Sequence, residues 1–116
     1  MRPAMPLKIK SHTTLLTEVD RLYVRQITEG KYVREFSVHY EAFIDHRWQK
    51  VTRFDNSHDS LPHRHIFHPN GLSRKYLMNT PDINLAFTDA QKFIKQNFLN
   101  LRQAYIILVE RGKHKR

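Results

Sequence analysis

The sequence predicts an α+β fold, in which an antiparallel β-meander of three to five strands packs one face against a long C-terminal amphipathic helix. Two patterns carry this prediction. Apolar residues alternate with polar ones from Phe36 to Ile44, which is the period of a half-buried strand. Apolar residues then recur every three or four positions from Ile83 to Leu108, which is the period of a helix with one buried face. The 116 residues, of which 40% are hydrophobic, suffice for one core and a single domain.

The N-terminal quarter of the chain admits two interpretations. Residues 1–11 contain two prolines and three cationic side chains, which predicts a flexible basic arm. Leu15, Val19 and Leu22 then follow helical spacing, so a short N-terminal helix is the favoured prediction. The alternative is a strand from Leu22 onward, because residues 22–28 have strand composition and Gly30 suits a hairpin turn.

The central part of the sequence reads as a meander. A strand over residues 36–44 turns at 45–47 and returns over 48–54. A polar loop, 56–62, precedes a strand over 63–68, and the turn at 69–71 leads to a further strand over 72–77. Thr80 and Pro81 are predicted to cap the start of the long helix, and Gly112 to end it. The predicted domain therefore spans 12–111, followed by a basic tail at 112–116.

Charge is the most informative compositional feature. Twenty Lys and Arg residues against eleven Asp and Glu give a formal net charge of +9, which predicts a polyanionic partner, RNA in the first place. The alternatives are a basic adaptor that binds an acidic protein, and a chain that is basic without a polyanionic partner. The absence of cysteine excludes disulfides and thiolate chemistry. No apolar run is long enough to cross a bilayer and the first ten residues do not resemble a secretory signal, so the cytoplasm is the expected location and no membrane partner is predicted.

Four of the eight histidines fall within eleven residues, and they form the candidate chemical site. On a strand, His63 and His65 point to the same face, as do Arg53 and Asp55 on the preceding strand. Three interpretations compete for this cluster. His63 and His65 act as general acid and base on RNA, with Arg53 and Arg64 stabilising the charged phosphorus. Alternatively the cluster binds a divalent metal, or it only fixes the loop through hydrogen bonds. We favour the first and predict no metal and no cofactor; the predicted catalytic residues are Arg53, Asp55, His58, His63 and His65.

Further residues are candidates for nucleic-acid binding. Cationic side chains lie on the strand, along the exposed side of the long helix and in the tail, although such positions are often only solvated. They are Arg64, Lys92, Lys95, Arg102, Lys113, Lys115 and Arg116. Four aromatic residues, Tyr23, Tyr32, Phe67 and Tyr76, are candidates for a surface on which bases stack. No glycine-rich phosphate loop is present, which excludes P-loop and Rossmann nucleotide binding.

The segment from Tyr40 to Gly71 carries a resemblance to known families. Arg53-Phe-Asp-Asn-Ser-His58, Pro62-His-Arg-His65 and His68-Pro-Asn-Gly71 resemble the motifs of a family of small uncharacterised prokaryotic proteins. The same segment is similar, more distantly, to TumE-type toxins of toxin–antitoxin pairs. The resemblance spans roughly residues 32–110 and rests on about thirty of them. It implies a toxin-like role for Arg53, Asp55, Asn56, His58, His63 and His65. Ser57 and Asp59 depart from the alanine and glycine that the motif often carries.

These observations together predict a small basic nucleic-acid-binding protein with toxin-like, metal-independent ribonuclease activity. The runner-up is an RNA- or DNA-binding module without catalysis. The expected partners are RNA, an acidic antitoxin-like protein and a second copy of the chain as a homodimer.

Overall fold

A computed structural model of the chain describes residues 5–57 and 61–114, and these form a sheet of six strands followed by a long helix. The strands are β1 (Leu7–Thr17), β2 (Asp20–Glu29), β3 (Tyr32–Ile44), β4 (Arg47–Asp55), β5 (His63–Phe67) and β6 (Ser73–Leu77), and the helix is α1 (Ile83–Lys113). Every strand pairs antiparallel with the next one in the sequence, so the sheet order is β1-β2-β3-β4-β5-β6. The predicted α+β meander with a C-terminal helix is confirmed.

Two details of the predicted fold are wrong. The sheet has six strands rather than three to five, and the described residues contain no N-terminal helix. The segment with helical spacing instead forms the β1–β2 hairpin, in which Leu22 and Val24 alternate into the core. Its threonines and valines have branched side chains that favour strands, and pairing with β3 buries the inward face of β2. The alternative strand from Leu22 is confirmed, and Gly30 at a φ of +58° makes the β2–β3 turn.

The two predicted basic tails overlap regular structure. Strand β1 starts at Leu7, so residues 7–11 of the expected arm belong to the sheet, whereas residues 1–4 lie outside the described residues. Helix α1 continues to Lys113, into the expected tail, and Lys115 and Arg116 lie outside the described residues. No helix in the described ranges combines the length and apolarity that crossing a bilayer requires.

The core lies between α1 and one face of the sheet, and the helix packs chiefly on β3 and β4. Phe36, Val38 and Tyr40 of β3 meet Ile94 of α1 there, and all four are at most 1% exposed. Asp82 is the N-cap of the helix and accepts a hydrogen bond from the Leu85 backbone N–H. The predicted cap at Thr80 is therefore two residues early, because Thr80 accepts from the Asp82 N–H and shapes the turn before the helix.

The other face of the sheet is the one that positions the candidate site. Among the described residues no helix packs on it, since α1 covers the opposite face. We call it the open face. Its side chains are those at the outward-pointing positions of each strand, for example Glu35, Ser37, His39 and Glu41 of β3, which alternate with the buried residues of that strand.

Candidate functional site

Four of the five predicted catalytic residues come together on the open face. Strand β4 pairs with β5 so that Asp55 lies opposite His63 and Arg53 lies opposite His65. Directly opposed residues of an antiparallel pair point to the same face, so the four side chains form one patch. We call it the Asp55 cluster. The fifth residue, His58, lies outside the described residues.

Asp55 is the centre of this cluster and is 2% exposed. Its carboxylate accepts hydrogen bonds from Arg53 Nε at 2.8 Å, from the Ser57 backbone N–H at 3.1 Å and from the Ser57 hydroxyl at 2.8 Å. Burial by itself would raise the pKa of Asp55, but the two hydrogen bonds from Ser57 and the charges of His63 and Arg53 outweigh it and lower that pKa. The carboxylate is therefore ionised at neutral pH and held in one orientation.

His63 is almost as buried as Asp55, at 4% exposure. Its Nδ1 lies 2.9 Å from the Leu61 carbonyl oxygen, and its Nε2 lies 2.9 Å from Asp55 Oδ1. A carbonyl oxygen only accepts, so Nδ1 carries a proton and donates it. The hydrogen bond to Leu61 thereby fixes the ring, with Nε2 directed at the carboxylate.

His65 is the more accessible histidine of the cluster, with 18% of its side chain exposed. Its ring lies edge-to-face with that of His63 at 4.9 Å and is stacked beside Phe67 at 6.0 Å. Its Nε2 is 3.9 Å from Asp55 Oδ2, which is beyond hydrogen-bonding distance. Burial and then the charge of Arg53 lower the pKa of His65, so the ring is neutral at pH 7. A neutral, partly exposed imidazole can accept a proton or donate its lone pair to a ligand.

The cluster belongs to a row of side chains that crosses five strands. Tyr23, His39, Arg53, His65 and Lys75 are successive register partners on β2 to β6. Tyr23 and His39 contact edge-to-face at 5.3 Å, and the Arg53 guanidinium lies 5.5 Å from the centre of the Phe67 ring. The open face therefore combines aromatic rings, imidazoles and cations in one continuous strip.

His39 and Lys75 are the residues of this strip that the sequence interpretation missed. The alternation of β3 already placed His39 on the face opposite the core, but only the hairpin register sets it directly beside Arg53. Its Nε2 lies 2.6 Å from the Ser37 hydroxyl oxygen. Burial, followed by the charges of Arg53 and Lys50, lowers the pKa of His39 to about 4, so the ring is neutral at physiological pH.

Some cations predicted to bind nucleic acid have structural partners. Arg64 points to the helix face, donates to the Thr52 hydroxyl at 2.9 Å, and lies over the rings of Phe54 and Phe93 at 5.3 and 4.7 Å. It cannot stabilise a phosphorus atom next to His65, since adjacent strand residues point to opposite faces. The alternation of β5 therefore places Arg64 on the opposite face from His65 and outside the Asp55 cluster.

Cations on the helix also differ in their surroundings. Arg102 Nε lies 3.1 Å from Oδ1 of the fully buried Asp20 and ties the helix to β2. Lys113 Nζ lies 3.1 Å from Asp45 Oδ2, where ion pairing raises the pKa of the exposed ammonium group. Lys92 and Lys95 are exposed on the outer side of α1, away from the open face.

The chemistry that the cluster supports follows from the oxygen and nitrogen atoms that its side chains present. Asp55, His63 and His65 present a carboxylate oxygen and two imidazole nitrogens that all lie within 4.8 Å of one another. With Arg53 beside them, the same groups form a set suited to binding an anion or exchanging protons with it.

Comparison with known proteins identifies one match. The family model described as "Domain of unknown function (DUF7718)" matches residues 7–110, which span the whole sheet and nearly all of α1. No curated protein and no solved structure matches the chain. The family match contains no link to TumE-type toxins.

Proposed function

The chain belongs to the DUF7718 family, and we propose that within this fold it is an RNA-binding protein that holds a single strand on the open face of its sheet. The observation that carries the proposal is the strip Tyr23–His39–Arg53–His65–Lys75, which lines up rings and cations across five strands. Proteins that bind single strands combine aromatic side chains, on which bases stack, with cations that follow the phosphates.

The shape of the open face favours a single strand over a duplex. The major groove of a DNA duplex admits a helix or a two-stranded ribbon, whereas a sheet of six strands is too broad to enter it. The unpaired bases of a single strand can instead lie flat on exposed rings. Phe43 and Trp48 extend the aromatic surface at one end of the face, where the Arg21 guanidinium lies 4.2 Å from the centre of the Trp48 ring.

A pair of double variants with equal net charge tests which surface binds RNA. Lys50→Ala/Lys75→Ala removes two exposed cations from the open face, and Lys92→Ala/Lys95→Ala removes two from the outer side of α1. Each removes two positive charges and changes the formal net charge from +9 to +7, so long-range attraction falls equally in both. We expect the first to weaken binding of a short fluorescent single-stranded RNA about tenfold, and the second by less than about threefold. The measurement is fluorescence anisotropy at constant salt.

The reverse ranking would place the RNA-binding surface on the helix, as the sequence alone suggests for Lys92 and Lys95. Equal binding of duplex and single-stranded RNA, or no binding of either, would contradict the proposal.

The Asp55 cluster supports a second candidate function, a toxin-like ribonuclease. In this proposal His65 removes the proton from an RNA 2′-hydroxyl, His63 protonates the leaving 5′-oxygen, and Arg53 stabilises the charge that develops on the phosphate. The burial of His63 favours binding over catalysis as the leading proposal, since a general acid must reach the leaving oxygen. An acidic antitoxin-like protein would then be the natural inhibitor of the basic chain.

Cleavage and binding can be separated with one variant. His65→Ala is expected to abolish cleavage and to leave RNA affinity within about threefold, because affinity rests on many spread charges. EDTA should have no effect, and the rate should pass through a maximum near neutral pH. The variant, purified in parallel, controls for contaminating nuclease. Equal cleavage by both preparations, or RNA left intact by the wild type at every pH from about 5 to 9, would remove the ribonuclease candidate.

A further inference from the structure

The arrangement of donors in the Asp55 cluster points to a function that acid–base chemistry does not require. We propose that Asp55, His63 and His65 bind a divalent transition-metal ion, with the metal on the open face of the sheet. Imidazole nitrogen and carboxylate oxygen are ligands that zinc and iron(II) share, and two histidines with one carboxylate form a three-ligand set known for both. This inference does not depend on RNA binding, and it is an alternative to the metal-independent ribonuclease, which needs the same two histidines as acid and base.

The first argument is distance. His63 Nε2 and His65 Nε2 lie 2.9 and 3.9 Å from the two oxygens of Asp55, and all three donors lie within 4.8 Å. An ion about 2.0–2.2 Å from each ligand holds neighbouring ligands roughly 3–3.5 Å apart. The distance between His63 and Asp55 is close to that value, whereas the three donors lie up to 4.8 Å apart, so the partly exposed His65 ring would move toward the other two ligands when an ion binds.

The second argument is the orientation of His63. Its Nδ1 donates to the Leu61 carbonyl, the arrangement by which metal-bound histidines are usually held. With Nδ1 held in this way, Nε2 faces Asp55 Oδ1 at 2.9 Å. A hydrogen bond at this distance joins only His63 and Asp55, whereas a metal ion would also engage the nitrogen of His65.

The third argument is the support around the carboxylate. Hydrogen bonds from Ser57 and Arg53 hold Asp55 in place, as is usual for carboxylates that bind metals. Three protein ligands leave at least one coordination position for water or a phosphate oxygen. That position opens on the side of His65, which is the exposed side of the cluster, and the cation Arg53 beside it favours an anionic group there.

The test uses the full chain, without a histidine tag and freed of metal by chelation. Zn²⁺ is titrated by calorimetry, and Co²⁺ by its visible absorption. We expect one ion per chain and a rise in melting temperature of about 5 °C or more in saturating Zn²⁺. No binding of either ion, or binding without a change in melting temperature, would overturn the proposal, and a shared proton would then account for the His63–Asp55 contact.

Three variants assign the ion to the cluster. His65→Ala removes the partly exposed ligand and should weaken Zn²⁺ binding at least about a hundredfold, and Asp55→Asn should do the same. If buried Asp55→Asn does not fold, His65→Ala decides alone. His12→Ala removes an exposed histidine of β1 and should bind Zn²⁺ like the wild type. Equal affinity of His65→Ala and wild type would overturn the assignment. RNA affinity of the metal-free chain, measured separately, shows whether the proposed RNA binding stands or fails by itself.

Discussion

The interpretation of Arg64 changes once its neighbours in the folded chain are known. In the sequence it stands between two histidines and resembles a phosphate ligand. In the structure it points away from both, and burial among Phe54, Phe93 and Thr52 lowers the pKa of its guanidinium. Its long side chain covers apolar rings and supplies a hydrogen bond at the edge of the core, which is a stabilising role.

We therefore expect Arg64→Ala to lower the free energy of unfolding by about 1–2 kcal/mol and to leave RNA affinity nearly unchanged. Urea denaturation and RNA anisotropy measure the two quantities. Lys75→Ala on the open face is the matched control, with the opposite expected pattern of weaker RNA binding and unchanged stability. Loss of RNA affinity at constant stability in Arg64→Ala would show that the arginine contacts RNA.

His39 makes stability depend on pH. Its pKa is lowered from 6.5 to about 4, so the folded state binds its proton less readily than the unfolded chain. The stability that the neutral ring contributes is complete above about pH 6.5 and is lost as the pH falls toward 4. Because the side chain is partly exposed, we expect a loss of about 1–2 kcal/mol rather than the full value for such a shift.

The variant His39→Gln cannot take up this proton, so its free energy of unfolding should fall less than that of the wild type between about pH 7 and 4.5. His65, whose pKa is also lowered, contributes in the same direction in both proteins and cancels in the comparison. The exposed His12→Gln serves as control. Identical pH dependence of His39→Gln and wild type would contradict the expected shift.

At the scale of elements, α1 is the part that the sequence describes best. Apolar residues at spacings of three and four define its buried stripe, and the structure buries Phe87, Ala90, Ile94 and Tyr105 of that stripe. Tyr105 also donates a hydrogen bond to Gln49 Oε1 at 2.9 Å and so satisfies its hydroxyl inside the core. The helix therefore covers the inner face of the sheet and shields it from solvent.

Ile94→Ala tests this role of the helix. Ile94 is fully buried, so the substitution should lower the free energy of unfolding by about 2–5 kcal/mol through lost burial and an unfilled cavity. Leu99 is on the same helix but 57% exposed, and Leu99→Ala, which removes the same number of atoms, should cost less than about 1 kcal/mol. Both values come from urea denaturation. Equal costs would show that α1 does not pack as described.

At the scale of the whole molecule, the two faces of the sheet differ in what covers them and in the charges they carry. One face of the sheet is closed by α1, and the open face carries the cations Arg25, Lys50, Arg53 and Lys75 among its aromatic rings. The strip on this face crosses five neighbouring strands about 4.8 Å apart, so it is roughly 19 Å long and can meet only a few phosphates. Affinity for RNA should therefore depend on the release of counterions from a few phosphates.

If four such cations each contact one phosphate, the logarithm of the RNA affinity should fall with the logarithm of salt at a slope of about −3. This corresponds to a loss of about fiftyfold between roughly 50 and 200 mM salt. Lys50→Ala/Lys75→Ala removes two of the four contacts and should reduce the magnitude of the slope by about 1.4, and Lys92→Ala/Lys95→Ala should leave it unchanged. Affinity that does not change with salt would contradict binding through phosphates.

Local pattern determined much of this protein by itself. Alternation fixed β3 and the side of it that faces the core, the spacing of three and four fixed α1, and the His-x-His pair placed His63 and His65 on one face. These features depend on backbone geometry that repeats every two or 3.6 residues, and neighbouring residues are enough to reveal it.

Tertiary structure decided the rest. The segment that forms β1 and β2 is compatible with both a helix and a strand by its local sequence. Only its pairing with β3 determines that it forms a hairpin. Register between strands set Asp55 opposite His63, brought His39 beside Arg53, and turned Arg64 to the helix face. Register joins residues that are distant in the sequence, and a shift of one residue moves every side chain of a strand to the other face. The residues of the cluster could therefore be predicted from the sequence, whereas their geometry is set by the pairing of strands in the folded sheet.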